Sequence, residues 1–413
     1  MRTPSRKTPT ARGAVSRRQF IAGAAAAATV AVVQPSRVRG MEANSRVEVG
    51  CVGLGGRGRL IAGMIAKHAG YRITALADYF EPVADAAGER LGVPKERRFT
   101  GLSGCKRMVA AKVDAVFLET PPCFFPDHAA AAVEAGCHVY VAKPVAVDVP
   151  GCLRMADLGR RATRARQVFL VDFQTRTHPF FIESIKRIHA GALGHIAFIS
   201  SVYNDNGFRD PPLTETVESR LQHLIWVNDL ALGGGMLVNA GIHAVDVALW
   251  VADRLPASAM GASRAARPNP HGDTHDVYSV TYRFDDGLVW NHRGEHVPNL
   301  WPFTCNCTAY GHGAYFEGDY NGHTKTWVRG GTMAYRGGEV QGLYNSGIQA
   351  NLDLFHKSIT EGVFDNPTVE PSVASTLACI LGRDAARAGR PLTWADMMKA
   401  GTRIEADLSG LKD

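Results

Sequence analysis

The hexapeptide Gly53-Leu54-Gly55-Gly56-Arg57-Gly58 constrains the fold of this chain more than any other segment. It closes an apolar run over residues 46–55 that reads as a strand. It also opens an Ala/Ile/Met-bearing segment, to about His68, that reads as a helix. Further strands are expected at Tyr71 to Ala77, Val113 to Leu118, His138 to Val141 and Gln167 to Phe173. Helices are expected between them at Pro82 to Leu91, Pro126 to Gly136 and Pro150 to Arg166. This alternation predicts βαβ units and a parallel sheet. A glycine triplet alone is a weak signal, but between a strand and a helix it has the context of a dinucleotide fingerprint. There Gly53 permits the tight turn, Gly55 lets the backbone reach a pyrophosphate and Gly58 lets helix and strand pack closely, with the helix N-terminus facing the phosphates. Asp78 ends the second strand, where a carboxylate bonds ribose hydroxyls and repels a 2′-phosphate. This favours NAD over NADP; Arg57, itself at the cofactor loop, and Arg59 pull the other way.

Charge locates a second feature. The 413 residues carry Lys+Arg 46 against Asp+Glu 39, a net charge of +7. Residues 1–40 hold eight of the basic residues and no acid, so the remainder has 38 basic against 39 acidic residues, a net of −1. The basic excess is therefore no evidence for a nucleic-acid partner. Arg17-Arg18 followed by the fourteen small or apolar residues Phe20 to Val33 resembles a twin-arginine export signal. That run is too short for a spanning helix, and no later run of about 18 apolar residues is expected, so no stable membrane insertion follows processing. The expectation is a folded, exported, periplasmic protein that meets the twin-arginine machinery and carries a tightly held cofactor. Eight cysteines without a Cys-x-x-Cys pair give no disulfide framework.

Two further loops sit at expected strand ends, Thr120-Pro121-Pro122 with His128 after it, and Ala142-Lys143-Pro144. In open α/β sheets ligands bind outside the carboxyl ends of strands. Farther on, Asn239, His243, Asp246 and Trp250 share one face if the segment is helical. Residues 196–203, 276–284, 288–296 and 303–310 read as strands, with a hairpin turn at Asp286-Gly287. His271 with His275 and His292 with His296 have i, i+4 spacing, but on loops or strands that spacing does not align ligands, so no metal is expected.

The glycine loop, strand-end Asp, Thr-Pro-Pro with its His and the Lys-Pro pair, in this order, resemble the Gfo/Idh/MocA family over about residues 46–400. The resemblance implies a nicotinamide-dependent oxidoreductase acting on a sugar, cyclitol or sugar derivative. It implies an α/β architecture: an N-terminal Rossmann domain with a doubly wound parallel sheet, then an α+β domain with a large, mostly antiparallel open sheet. The expected bounds are 1–40 for the signal, 45–173 for the Rossmann domain and 174–413 for a substrate and oligomerisation domain, with a homo-oligomer formed through the open sheet. Gly53, Gly55, Arg57, Gly58, Asp78, Thr120, Pro121, Pro122, His128, Lys143 and Pro144 fall at cofactor positions. Lys143 and His243 fall at catalytic positions, and Asn239, Asp246 and Arg176 at substrate positions. The family usually has Glu-Lys-Pro where this chain has Ala142-Lys143-Pro144, and often an acid where it has Asn239. A redox-neutral glycoside hydrolase or lyase that uses NAD transiently, and a non-catalytic sugar or dinucleotide sensor, stand as alternatives.

Overall fold

The computed structural model describes residues 46–211, 217–222, 225–299, 302–328, 332–338 and 342–413. The expected export signal lies outside the described residues. The first sheet contains six strands: β1 Val47–Val52, β2 Tyr71–Asp78, β3 Arg98–Thr100, β4 Ala115–Leu118, β5 His138–Ala142 and β6 Phe169–Asp172. They run parallel in the order β3-β2-β1-β4-β5-β6. This is the doubly wound order, and it places a crevice beyond the carboxyl ends of β1 and β4, where the order reverses. β4 and β6 are buried throughout, as strands covered by helices on both faces must be. The four expected helices form at Gly56–Lys67, Glu81–Leu91, Phe125–Glu134 and Val149–Arg164. β3 and the helix Gly104–Ala110 were not legible: three half-buried strand residues and seven helical ones carry too little periodicity.

The second sheet has nine strands: β7 Ile196–Asp205, β8 Ser258–Arg264, β9 Val277–Arg283, β10 Val289–His296, β11 Thr304–Gly311, β12 Ala314–Asp319, β13 Thr324–Val328, β14 Thr332–Arg336 and β15 Leu392–Thr393. Their order is β14-β13-β12-β11-β7-β10-β9-β8-β15. All pairs are antiparallel except β7 with β10. One face packs under the helices Ile242–Ala252 and Val369–Ala388. Tyr278, Val280 and Tyr282 on β9 point into that core, and Tyr282 stacks on Trp290 at 4.0 Å. On the other face Phe198, Tyr310, Tyr315 and Trp327 form a ladder of stacked rings across β7, β11, β12 and β13.

Two findings differ from the sequence reading. The helix Leu343–Glu361 lies in the stretch read as the second domain, yet Ile348, Leu352 and Phe355 join the core formed by Val47, Val49, Phe117 and Tyr140. Tyr71 Oη donates to the Leu352 carbonyl at 2.8 Å. Burying these three side chains is worth roughly 5–8 kcal/mol, so the first sheet depends on this returning helix. Second, Leu230–Ala252 is long and apolar enough to cross a membrane, a run the sequence reading missed, but 94% of its apolar window is buried inside the protein. It comprises the short helix Leu230–Gly233, a π turn and the core helix Ile242–Ala252 of the second layer.

Candidate active site

A cavity of about 580 Å³ opens beyond the strand ends. Gly53, Gly55, Arg57, Gly58, Asp78, Thr120, Pro121, Pro122, His128, Lys143, Asn239 and His243 all border it. Pro144, joined to Lys143 by a cis peptide bond, does not.

The glycines differ in what they permit. Gly53 has φ +81°, and a Cβ there would lie 2.8 Å from the Glu119 carbonyl carbon and the Thr120 nitrogen. A Cβ on Gly58 would lie 2.8 Å from the Gly53 carbonyl carbon and overlap its oxygen. Both glycines are required by the protein's own packing. Gly55 and Gly56 meet no atom within 4 Å, so the space before them is open cavity at the start of the helix Gly56–Lys67. A cradle of bare backbone at a helix N-terminus fits a pyrophosphate. Asp78 holds this loop: Oδ2 accepts from Leu54 N at 2.6 Å and Oδ1 from Phe80 N at 3.0 Å. Burial raises its pKa, and these two N–H groups oppose the rise. The residues present therefore fit a dinucleotide.

Arg57 borders the cavity but is committed within it. Its Nε lies 3.1 Å from Glu119 Oε2, its Nη2 donates to Asp172, and its guanidinium sits 5.2 Å from the Tyr344 ring centre. Thr120 Oγ1 and His128 Nδ1 are 3.2 Å apart, and the His128 ring stacks on Phe124. Burial pushes His128 down to about 4, so it is neutral.

Lys143 Nζ donates to the Asn239 carbonyl at 2.8 Å, which fixes the ammonium beside the second layer. Burial and Arg57 bring its pKa down to about 8, against the opposing pull of Asp172 and Glu119. Asn239 sits in a π-helical turn, Leu237–Gly241, that runs into the helix Ile242–Ala252. The wider turn, not the regular helix expected, presents both the Asn239 carbonyl and the His243 ring to the cavity. Burial, then Lys143 and Arg57, hold His243 well below the ordinary histidine range. Its Nδ1 is buried without a hydrogen-bond partner among the described residues, which leaves Nε2 as the ring nitrogen open to the cavity. Tyr320 meets the ring at 5.1 Å and Tyr203 at 6.3 Å.

Arg176 and Asp246 require correction. Neither borders the cavity. Asp246 is fully buried and accepts from Arg176 Nε at 2.9 Å, from Nη2 at 2.7 Å and from Ser375 Oγ at 2.7 Å. Arg176 also packs on Trp250 at 4.9 Å. The pair ties the domain junction to two core helices, away from the cavity. The wall residues Tyr203, Phe303 and Tyr320 were not foreseen as site residues; they come from segments far apart in sequence. Glu119 was also missed, although it directly precedes Thr120 at a strand end. Among the described residues no group of three or more His, Cys, Asp or Glu is placed to hold a metal. His275 pairs with Ser263, His292 with Ser201 and His296 with Asp205.

Residues 47–170 match the oxidoreductase family with NAD-binding Rossmann fold, and residues 182–296 match the GFO/IDH/MocA C-terminal domain. The chain belongs to the Gfo/Idh/MocA family of oxidoreductases. It is 31% identical over 184 residues to a 1-carboxy-3-chloro-3,4-dihydroxycyclo hexa-1,5-diene dehydrogenase of Comamonas testosteroni, covering 43% of this chain and 41% of that one. It is 25% identical to inositol 2-dehydrogenase 4 of Saccharopolyspora erythraea, covering 84% of this chain and 95% of that one. A glycosyl hydrolase family 109 protein of Bacteroides fragilis is 29% identical over 161 residues, 38% of this chain and 37% of that one. The chain spans 41%, 52% and 64% of three curated relatives it matches. The fold is that of the aldose-aldose oxidoreductase of Caulobacter crescentus, with TM-score 0.67, 22% identity and coverage of 84% of this chain and 100% of that one.

Proposed function

We propose that this protein oxidises a secondary hydroxyl of a sugar, cyclitol or sugar derivative, or reduces the matching ketone, with NAD as redox partner. The observation that carries this reading is the convergence on one cavity of an open glycine cradle, an ammonium and a neutral imidazole. Bound at the cradle, NAD supplies a nicotinamide that accepts or returns hydride. Gly55 and Gly56 would hold the pyrophosphate and Asp78 the ribose hydroxyls. With Arg57 held by Glu119 and Asp172, its charge is not available to a 2′-phosphate, which favours NAD over NADP.

His243 is neutral at working pH and accepts the hydroxyl proton at Nε2. Lys143 keeps Nζ protons beyond the one given to Asn239, and these favour the developing alkoxide. Asn239 has no proton to exchange, so it bonds a hydroxyl without acting as a base. The aromatic wall of Tyr203, Trp226, Phe303 and Tyr320 suits the apolar face of a ring. The names of the inositol 2-dehydrogenase relatives agree with a cyclitol or sugar substrate. Nucleotide reduction at 340 nm across a panel of sugars and cyclitols tests this. His243→Asn and Lys143→Met should each lower kcat/KM by at least about 100-fold, since general acid–base catalysis contributes that much. Wild-type turnover in both variants contradicts the assignment.

Similarity to a glycosyl hydrolase family 109 protein favours a second reading, in which oxidation is transient and a glycosidic bond is cleaved with no net reduced nucleotide. Glycoside product without accumulation at 340 nm distinguishes it. The paired arginines and apolar run of residues 1–40 support export in the folded state with the nucleotide tightly held. Fractionation of the host that expresses the full chain, with Arg17 and Arg18 replaced by Lys as control, tests it. The aromatic ladder on the open face of the second sheet supports a homo-oligomer, read by sedimentation velocity.

A further inference from the structure

Ala142 stands where an acid beside Lys143 is missing, and the strand register shows what flanks that position. Leu118 of β4 pairs with Val141 of β5, and Ala142 pairs with Asp172 of β6. One residue beyond the β4 pairs, Glu119 is level with Ala142. Glu119, Ala142 and Asp172 thus form a row across three strand ends, on one face of the sheet. The Arg57 guanidinium spans the row, with Nε 3.1 Å from Glu119 and Nη2 donating to Asp172. A methyl at the middle position leaves room for it to reach both carboxylates.

Glu119 borders the cavity that holds Lys143, its side chain is 3% exposed, and its buried carboxylate has Arg57 Nε, 3.1 Å from Oε2, as its close donor among the described residues. Asp172 is better satisfied, since Oδ1 accepts from Asn351 at 2.5 Å. A buried carboxylate is tolerated where neighbouring cations compensate it. Arg57 is one such cation, and Lys143 is a second among the described residues.

We propose that Glu119 is the positioning acid of this site: from the adjacent strand end, together with Asp172, it supplies the carboxylate that position 142 lacks and keeps Lys143 an ammonium. Only the use made of that ammonium rests on the hydride-transfer reading. The groups facing Glu119 are Arg57, Asp172 and Lys143, with Cys51 on β1 and Tyr140 on β5. Burial lifts Glu119 to about 7 and Asp172 adds to the rise, while Arg57 and Lys143 oppose it. The two cations thus favour the Glu119 anion, and that anion in turn favours the Lys143 ammonium.

The test is the pH dependence of Lys143 acylation by trace acetic anhydride, read by mass spectrometry on the full chain. Glu119→Gln keeps the shape and removes the charge. Its Lys143 midpoint is expected to fall by about one pH unit, the low end of the effect of a nearby opposite charge. The alkaline limb of kcat/KM should move the same way. Adding Ala142→Glu to Glu119→Gln should return the midpoint toward wild type. An unchanged midpoint in folded Glu119→Gln protein overturns the proposal. If the single variant does not fold, the double variant decides. Folded with a wild-type midpoint it supports the proposal; unfolded, or folded with a lowered midpoint, it overturns it. Acylation needs no nucleotide, so a protein that binds none contradicts the proposed function and leaves this test standing.

Discussion

Adding one methyl at Gly55 or at Gly58 separates what the glycine loop does for the fold from what it does for a ligand. At Gly58 the new Cβ would lie 2.8 Å from the Gly53 carbonyl carbon and overlap the oxygen. The neighbour is backbone, so the helix and the turn must part. Overpacking of this kind costs about 1–3 kcal/mol. Gly53 cannot absorb the shift freely, because its φ of +81° and its own contact with Glu119 fix it. Gly58→Ala should therefore lose both stability and nucleotide affinity. At Gly55 nothing lies within 4 Å, so the protein should unfold as wild type does. The methyl instead enters the space assigned to the pyrophosphate. A loss of about 1.4 kcal/mol or more corresponds to tenfold weaker binding. Guanidinium denaturation and NADH fluorescence titration on the same samples measure the two quantities. Gly55→Ala protein that binds NADH as tightly as wild type refutes the cradle. Gly55→Ala protein that loses stability as Gly58→Ala does refutes the open-space argument.

The Arg176–Asp246 pair predicts the reverse pattern. Arg176→Met leaves a fully buried carboxylate with Ser375 as its remaining partner among the described residues and should cost about 3–5 kcal/mol of stability, with KM for substrate unchanged because neither residue borders the cavity. Denaturant midpoints and steady-state kinetics check it, and a raised KM in folded protein contradicts it. Acid should also destabilise the fold. His128 is held down to about 4 and His292 to about 3 by burial, against 6.5 when unfolded. Below 6.5 the unfolded chain binds the extra protons, so stability present above 6.5 is lost as pH falls toward the folded values. At pH 5 each contributes about 2 kcal/mol of that loss, and a denaturant midpoint that stays flat from pH 7 to 5 contradicts it.

The local signals were the legible ones. The turn at Gly53, the carboxylate at Asp78 and the strand-end loops at Thr120 and Lys143 are each fixed by a few consecutive residues, and the cavity gathers them. What the sequence concealed depends on distant partners. Nothing near Asp246 reveals that Arg176, 70 residues earlier, satisfies its carboxylate. The helix Leu343–Glu361 carries an ordinary amphipathic pattern that does not say which core receives it. Asn239 and His243 have helical spacing, but the π turn between them is a backbone adjustment without a residue signature. Glu119 was readable at its strand end; its significance emerged only from the register that sets it beside Ala142.

The central claim is hydride transfer between a carbohydrate carbon and a nucleotide held in this cavity. The most direct measurement is mass spectrometry of NAD recovered after turnover with sugars and cyclitols carrying deuterium at each hydroxyl-bearing carbon. The account predicts deuterium in the nucleotide from at least one substrate with the wild-type protein, and transfer at least about 100-fold slower with His243→Asn. Nucleotide that binds the protein yet never acquires deuterium from any of them would contradict it.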